Sequence, residues 1–193
     1  MKRSAGPLVF RPATRARWKD VEALFCPRGA CGRCWCMYWR LRRPEFDDGK
    51  EGANRRALRR LVESGEEPGL LAYEGGQPIA WCALAPRSAF TRLDRSRVLA
   101  PVDSEPVWSV PCFFVARSHR RRGLQARLLE AAAARAKARG AAIIEGYPVE
   151  PSGGHMADAF AWTGLASAFR KAGFAEVARR SPTRPVMRRR LVK

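Results

Sequence analysis

Apolar and polar positions along the 193-residue chain follow two periods, one helical and one extended. Their succession predicts a mixed α/β protein. Leu8-Val9-Phe10-Arg11-Pro12 reads as a short strand ended by proline. From Thr14, read as a cap, to about Leu24 the pattern is helical, with Trp18, Val21 and Leu24 on one face. The stretch through Trp39 has no period and reads as an irregular insertion rich in aromatics: Phe25, Trp35, Tyr38 and Trp39. A second helix is predicted from about Lys50 to Ser64, with Ala53, Leu58, Leu61 and Val62 as its stripe and Gly65 as its stop. Two extended runs, 69–74 and 77–85, flank Gly75-Gly76, a strong hairpin signal. Residues 86–105 read as a loop with a short helical turn. Val107 to Ala116 reads as a long buried strand, and Pro111 in its middle predicts a bulge or break.

A basic turn, Arg117 to Gly123, leads into an Ala- and Leu-rich helix ending at Gly140. Ala142 to Tyr147 is a strand, and Pro148 to Asp158 a Gly- and Pro-rich loop. Ala159 to Ala172 is helical and interrupted near Gly164. Strands at 174–178 and 184–191 finish the chain. There is no internal repeat. A single domain over 1–193 is expected, with residues 27–49 as a Cys- and aromatic-rich insertion after the first helix. The expected core is one mixed, mostly antiparallel sheet of six or seven strands flanked by about four helices.

Composition adds limits. The chain is 46% hydrophobic, enough for a packed core. No run approaches the ~18 apolar residues of a membrane span. The apolar run Leu8 to Phe10 is too short for a secretory leader, so a cytoplasmic protein without a membrane partner is expected. Lys and Arg number 37 against 18 acids, a formal +19, and 31 of the 37 are Arg. Such a balance suits a nucleic acid, a membrane surface or a phosphate-bearing cofactor, or simply a solvated basic surface.

Four of the six cysteines, Cys26, Cys31, Cys34 and Cys36, fall within eleven residues; Cys82 and Cys112 stand apart. Cys31-x-x-Cys34 has zinc-knuckle spacing, but no second pair follows, and the two histidines, His119 and His155, are far away. The expectation is packed cysteines and no metal, with zinc at Cys26, Cys31, Cys34 and Cys36 as the lesser alternative. Arg28 and Arg33 favour thiol reactivity by lowering nearby pKa values.

The segment Cys112 to Leu129 combines a strand, a basic glycine turn and a helix start. A helix N-terminus offers unpaired N–H groups and a partial positive charge, and Gly123 lets a phosphate come close. It is neither a P-loop nor a dinucleotide fingerprint, because the further residues those need are missing. With this segment the chain resembles the GNAT superfamily of acyl-CoA-dependent N-acyltransferases. That family's phosphate loop reads Arg/Gln-x-x-Gly-x-Gly/Ala. Arg120 and Gly123 match it, while Gln125 departs and Ala126 follows. Phe169-Arg-Lys-Ala-Gly-Phe174 is similar to the family's Tyr-x-x-x-Gly-Phe, with Phe in place of Tyr. The order of elements agrees from Leu8 to Leu191.

The resemblance implies acetyl-CoA as co-substrate. Its pantetheine would lie along Phe113, Phe114 and Val115, and its phosphates at Arg120, Arg121, Arg122, Gly123, Leu124, Gln125 and Ala126. Ser167 and Phe169 would stand near the thiol end. Phe169 has no proton to give, so Tyr147, Ser167 or solvent would protonate the leaving thiolate. Acyl transfer needs a neutral amine and hence a base or a water chain. Glu145, in the run Ile143-Ile144-Glu145, is one candidate base, its alternative being an outward-facing strand charge. Glu150 is another, its alternative a solvated loop charge, and His155 a third. Trp81, Trp108 and Trp162 are core or substrate cage. The expected partners are a CoA thioester and a small-molecule or peptide amine, acting on a monomer or homodimer. A non-catalytic acyl-CoA binder and a zinc-stabilised, basic nucleic-acid-binding module are the readings from other classes.

Overall fold

The computed structural model describes residues 6–25, 32–151 and 158–191. Strand β1 (Leu8–Pro12) pairs antiparallel with β2 (Gly69–Glu74), and β2 with β3 (Gln77–Ala83). Gly75 and Gly76 both have positive φ, +57° and +77°, as the tight turn between β2 and β3 demands. A two-residue strand β4 (Ala85–Pro86) follows.

The predicted strand 107–116 is two strands. β5 (Trp108–Val110) and β6 (Phe113–Val115) are separated at Pro111-Cys112 and belong to different sheets. Proline cannot donate to a ladder, so the chain changes sheet where the sequence places it. The remaining strands are β7 (Ile143–Gly146), β8 (Ala175–Arg179) and β9 (Pro185–Arg190). One sheet runs β1-β2-β3-β6 and the other β4-β5-β7-β9-β8. The seven predicted strands thus become nine, because 77–85 and 107–116 each divide. Every pair is antiparallel except β5 with β7. A parallel pair needs a crossover, and the helix Leu124–Ala138 lies in that crossover.

The helices are α1 (Trp18–Phe25), α2 (Arg43–Asp48), α3 (Ala53–Glu63), α4 (Thr91–Asp94), α5 (Leu124–Ala138) and α6 (Ala166–Lys171). Thr14 makes no capping bond from its side chain; its hydroxyl accepts from Arg17 at 3.2 Å, and a 3-10 turn precedes α1. α2 lies where the sequence shows no period. Six residues are too few for one, and Pro44 with the Arg42–Glu45 capping pair starts the helix. Gly164, at φ +89°, separates the 3-10 turn Asp158–Thr163 from α6, as the interrupted pattern predicts.

Two cores result. α1, α3 and the 32–52 segment pack Trp18, Phe25, Trp35 and Trp39 over Leu71 and Trp81. α5 and α6 pack Leu128, Leu129 and Phe169 over Ile79, Val110 and Phe113. No helix among the described residues is long and apolar enough to cross a membrane.

Candidate functional site

β6 pairs with β3 on one side only, and its other edge has no strand partner among the described residues. Beyond it the chain makes a 3-10 turn at Arg117–His119, and Arg121 and Gly123 take positive φ (+59° and +73°) before α5 begins. No side chain caps α5. Its first N–H groups therefore point, without intrahelical partners, into the space beside Gly123. A Cβ at Gly123 would meet nothing within 4 Å.

That space is a pocket of about 540 Å³. Phe113, Phe114 and Val115 form one wall, Arg120, Arg121, Gly123, Leu124, Gln125 and Ala126 the helix end, and Ser167 part of the far wall. Ten of the twelve residues expected at the cofactor thus meet at one place. Arg122 does not: it reaches back to Glu74 on β2, donating at 3.1 Å, and holds that carboxyl below its usual range. Phe169 does not either. It is fully buried, with its ring in edge contact with Phe113 (6.0 Å) and Phe174 (5.1 Å). His119, Trp162, Leu165 and Lys171 also line the pocket.

Gln125, the departure from the small residue of the motif, closes the far wall. Its Nε2 donates to Ala161 O and its Oε1 accepts from Leu165 N, both at 3.2 Å. Nothing in the local sequence shows this, since the partners lie 36 and 40 residues away. Arg120 Nε donates to Val115 O at 3.2 Å and seats the basic turn on the end of β6.

Of the candidate proton-transfer residues, Glu145, Tyr147 and Glu150 lie elsewhere. Glu145 on β7 is wholly buried and faces Ser109 of β5 and Arg188 of β9 in register. It accepts from Arg87 Nη1 (3.0 Å), Arg188 Nε (2.6 Å) and the Tyr147 hydroxyl (2.6 Å). The Tyr147 oxygen accepts from Arg87 (2.7 Å) and contacts Ser109 Oγ (2.8 Å). Burial, followed by the Glu145 charge, pushes the Tyr147 phenol well above its ordinary value. Two arginines compensate the desolvated carboxylate, as a buried charge requires. Neither Glu145 nor Tyr147 lines the pocket. Glu150 accepts from Arg170 and Arg179, which hold its carboxyl below the usual range.

The 32–52 segment reaches this region through aromatic rings. Tyr38 and Trp39 contact Trp162 at 5.1 and 5.7 Å between centroids, and Trp162 lines the pocket. Trp39 Nε1 donates to Pro111 O at 3.0 Å, and Cys36 Sγ lies 3.1 Å from Cys112 Sγ. Both contacts fall where β5 and β6 part. Cys26, Cys31 and His155 lie outside the described residues, so the four-cysteine zinc alternative does too. Among the described residues no cluster of three His, Cys, Asp or Glu side chains is arranged to hold a metal.

The acetyltransferase (GNAT) family model matches residues 35–160, from the aromatic segment through the basic turn, α5 and β7. The chain belongs to the GNAT acetyltransferase family. GNAT structures share its fold over nearly their whole length. An acetyltransferase of the GNAT family from Listeria monocytogenes superposes with a TM-score of 0.58, at 12% identity over 97% of this chain and 98% of that one. One from Streptococcus agalactiae gives 0.57, at 13% identity over 98% and 99%. An agmatine N-acetyltransferase gives 0.55, at 11% identity over 96% and 100%. No curated protein sequence matches the chain. The strand-turn-helix that carries this GNAT protein's pocket was legible in its residues; the aromatic contact with Trp162 and the Gln125 clamp were not.

Proposed function

We propose that this GNAT protein transfers the acetyl group of acetyl-CoA to a primary amine, by direct attack in a ternary complex. The observation that carries the reading is the pocket between the unpaired edge of β6 and the uncapped start of α5. A pyrophosphate suits the N–H groups of Leu124, Gln125 and Ala126, with Arg120, Arg121, Lys171 and His119 beside them. The pantetheine arm, which carries amide groups, suits the strand edge at Phe113, Phe114 and Val115.

No carboxylate lines the pocket among the described residues. Water therefore carries the amine's proton away. Positioning, rather than a strong base, supplies most of the acceleration. Glu145 and Tyr147 act as positioning residues: with Ser109, Arg87 and Arg188 they lock β5, β7 and β9 in register. Glu150, ion-paired and held as a carboxylate, is a weak proton acceptor. Ser167, exposed on the pocket wall, or solvent returns a proton to the CoA thiolate.

Thermal stabilisation by acetyl-CoA and desulfo-CoA, followed by thiol release on a panel of amines, tests the reading. Stabilisation by both, and release of CoA with at least one amine, is the expected result. Failure of any CoA species to stabilise the protein overturns it. Stabilisation without turnover on any amine favours the non-catalytic binder.

A further inference from the structure

A second hollow, of about 290 Å³, opens on the other side of the aromatic wall. Tyr38, Trp39 and Leu41 form its floor, and Arg42, Arg43, Arg92 and Arg95 surround it; no acid lines it. Tyr38 and Trp39 also touch Trp162, so one group of rings borders both this hollow and the CoA pocket. Its cations are not equivalent. Arg42 is paired with Glu45, and Arg43 with Asp47. Arg92 and Arg95 have no ion-pair partner among the described residues, although the paired Glu45 lies within electrostatic reach of Arg95. The Arg92 guanidinium lies 4.0 Å over the Tyr38 ring and 5.8 Å from the Phe46 ring centroid, and donates to Tyr38 O at 3.1 Å. Stacking fixes the plane of its fork and leaves the other donors for a ligand. A fixed fork suits two oxygens of one anion.

We propose that this hollow receives an anionic group, a carboxylate or a phosphate, carried by the amine acceptor. The protein would then select acidic amines over polycations. The inference rests on the acetyltransferase reading and narrows its acceptor class. With Arg42 and Arg43 already ion-paired, it is Arg92 and Arg95, with no acid in the lining among the described residues, that disfavour a polyamine. Trp162 and Tyr38 would lie along the carbon chain between the amine and the anion. The bare excess of arginine in the chain does not carry the point. The two unpaired cations, the ring that orients one of them and the shared aromatic wall do.

The test is steady-state acetylation by the full-length protein of glutamate, phosphoethanolamine and agmatine at equal concentrations. One or both acidic amines are expected to exceed agmatine at least tenfold in kcat/KM, and the better of the two tells carboxylate from phosphate. The Arg95→Gln and Arg92→Gln/Arg95→Gln variants are expected to raise KM for the preferred acidic amine tenfold or more. Stabilisation by desulfo-CoA reports whether each variant keeps its CoA pocket. Preference for agmatine, or an unchanged KM in a double variant that still binds desulfo-CoA, overturns the proposal. If no amine is acetylated, the catalytic reading fails separately. Titration of glutarate and of inorganic phosphate, followed by tryptophan fluorescence, then decides: binding lost in the double variant upholds the anion site, and absence of binding in the parent protein overturns it.

Discussion

The indole N–H of Trp39 donates to the carbonyl of Pro111 at 3.0 Å, inside the protein and at the point where β5 and β6 part company. At the break the Cys112 carbonyl accepts from Ala83 N of β3, and the aromatic segment supplies the donor for the Pro111 carbonyl. Trp39→Phe keeps an aromatic side chain, though a smaller one, removes the indole N–H and strands a buried acceptor. The cost is about 1–3 kcal/mol, read as a lowered Tm. A weaker apparent affinity for acetyl-CoA is also expected, because the edge of β6 begins two residues later. A variant with unchanged Tm and unchanged acetyl-CoA binding would show that the bond holds nothing in place.

Cys36 and Cys112 touch through sulfur in the same place. Burial, then the neighbouring Cys112, pushes the Cys36 thiol well above its ordinary value, and burial alone raises Cys82 to about 12. Both thiols should resist iodoacetamide in the native state at pH 8 and react after unfolding in guanidinium, as peptide mapping would show. A folded pKa above the unfolded one stabilises the protein below the unfolded pKa and is lost as pH rises through the folded value. Stability should therefore decline above about pH 9. Rapid native alkylation of Cys36 would contradict this.

Gly146 on β7 lies under the Phe169 ring: a Cβ there would come within 2.0 Å of Cε1. The ring cannot retreat, since Gly164, Phe113 and Phe174 enclose it. Gly146→Ala should destabilise by about 1–3 kcal/mol or more, and Gly146→Ala with Phe169→Leu should recover part of the loss in Tm. Equal loss in the single and double variants would place the fault in the strand backbone instead.

Glu150 bridges α6 and β8 through Arg170 and Arg179, which lower its pKa. The sign follows from that direction. The contribution is fully present above the unfolded carboxylate pKa and is lost as pH falls through the lower folded value. Tm measured from pH 7 down to pH 3 should fall less steeply for Glu150→Gln than for the parent. Parallel curves would mean that the bridge is satisfied equally well by solvent.

Much of the fold was legible because its signals are local. Gly75-Gly76 needs no partner to specify a turn, and Pro111 breaks a ladder wherever it stands. The stretch from Phe113 to Ala126 carries both the strand edge and the helix start of the candidate site, so nine of the ten pocket-lining residues expected at the cofactor could be read together. What escaped is long-range. Arg87 sits in a run without period, yet it is the hub of the Glu145 network, 58 residues from its carboxylate partner. Phe169 and Arg122 were assigned by motif position, and position does not tell where a side chain turns. Phe169 turns into the core and Arg122 toward Glu74.

The C-terminal Arg188-Arg189-Arg190 lies on β9, where successive side chains leave opposite faces. Arg188 and Arg190 leave one face, Arg188 to Glu145 and Asp103 and Arg190 to Glu105, while Arg189 leaves the other toward the Ala172 carbonyl. Three charges adjacent in the chain are thus each spent on a tether within the protein, and Arg188 and Arg190 share Glu105. None is left as part of a contiguous polyanion track. A basic tripeptide that would pass for a retention signal on a cation-exchange resin, or for a phosphodiester grip, is instead the stitching that ties an inner strand of the sheet to what surrounds it.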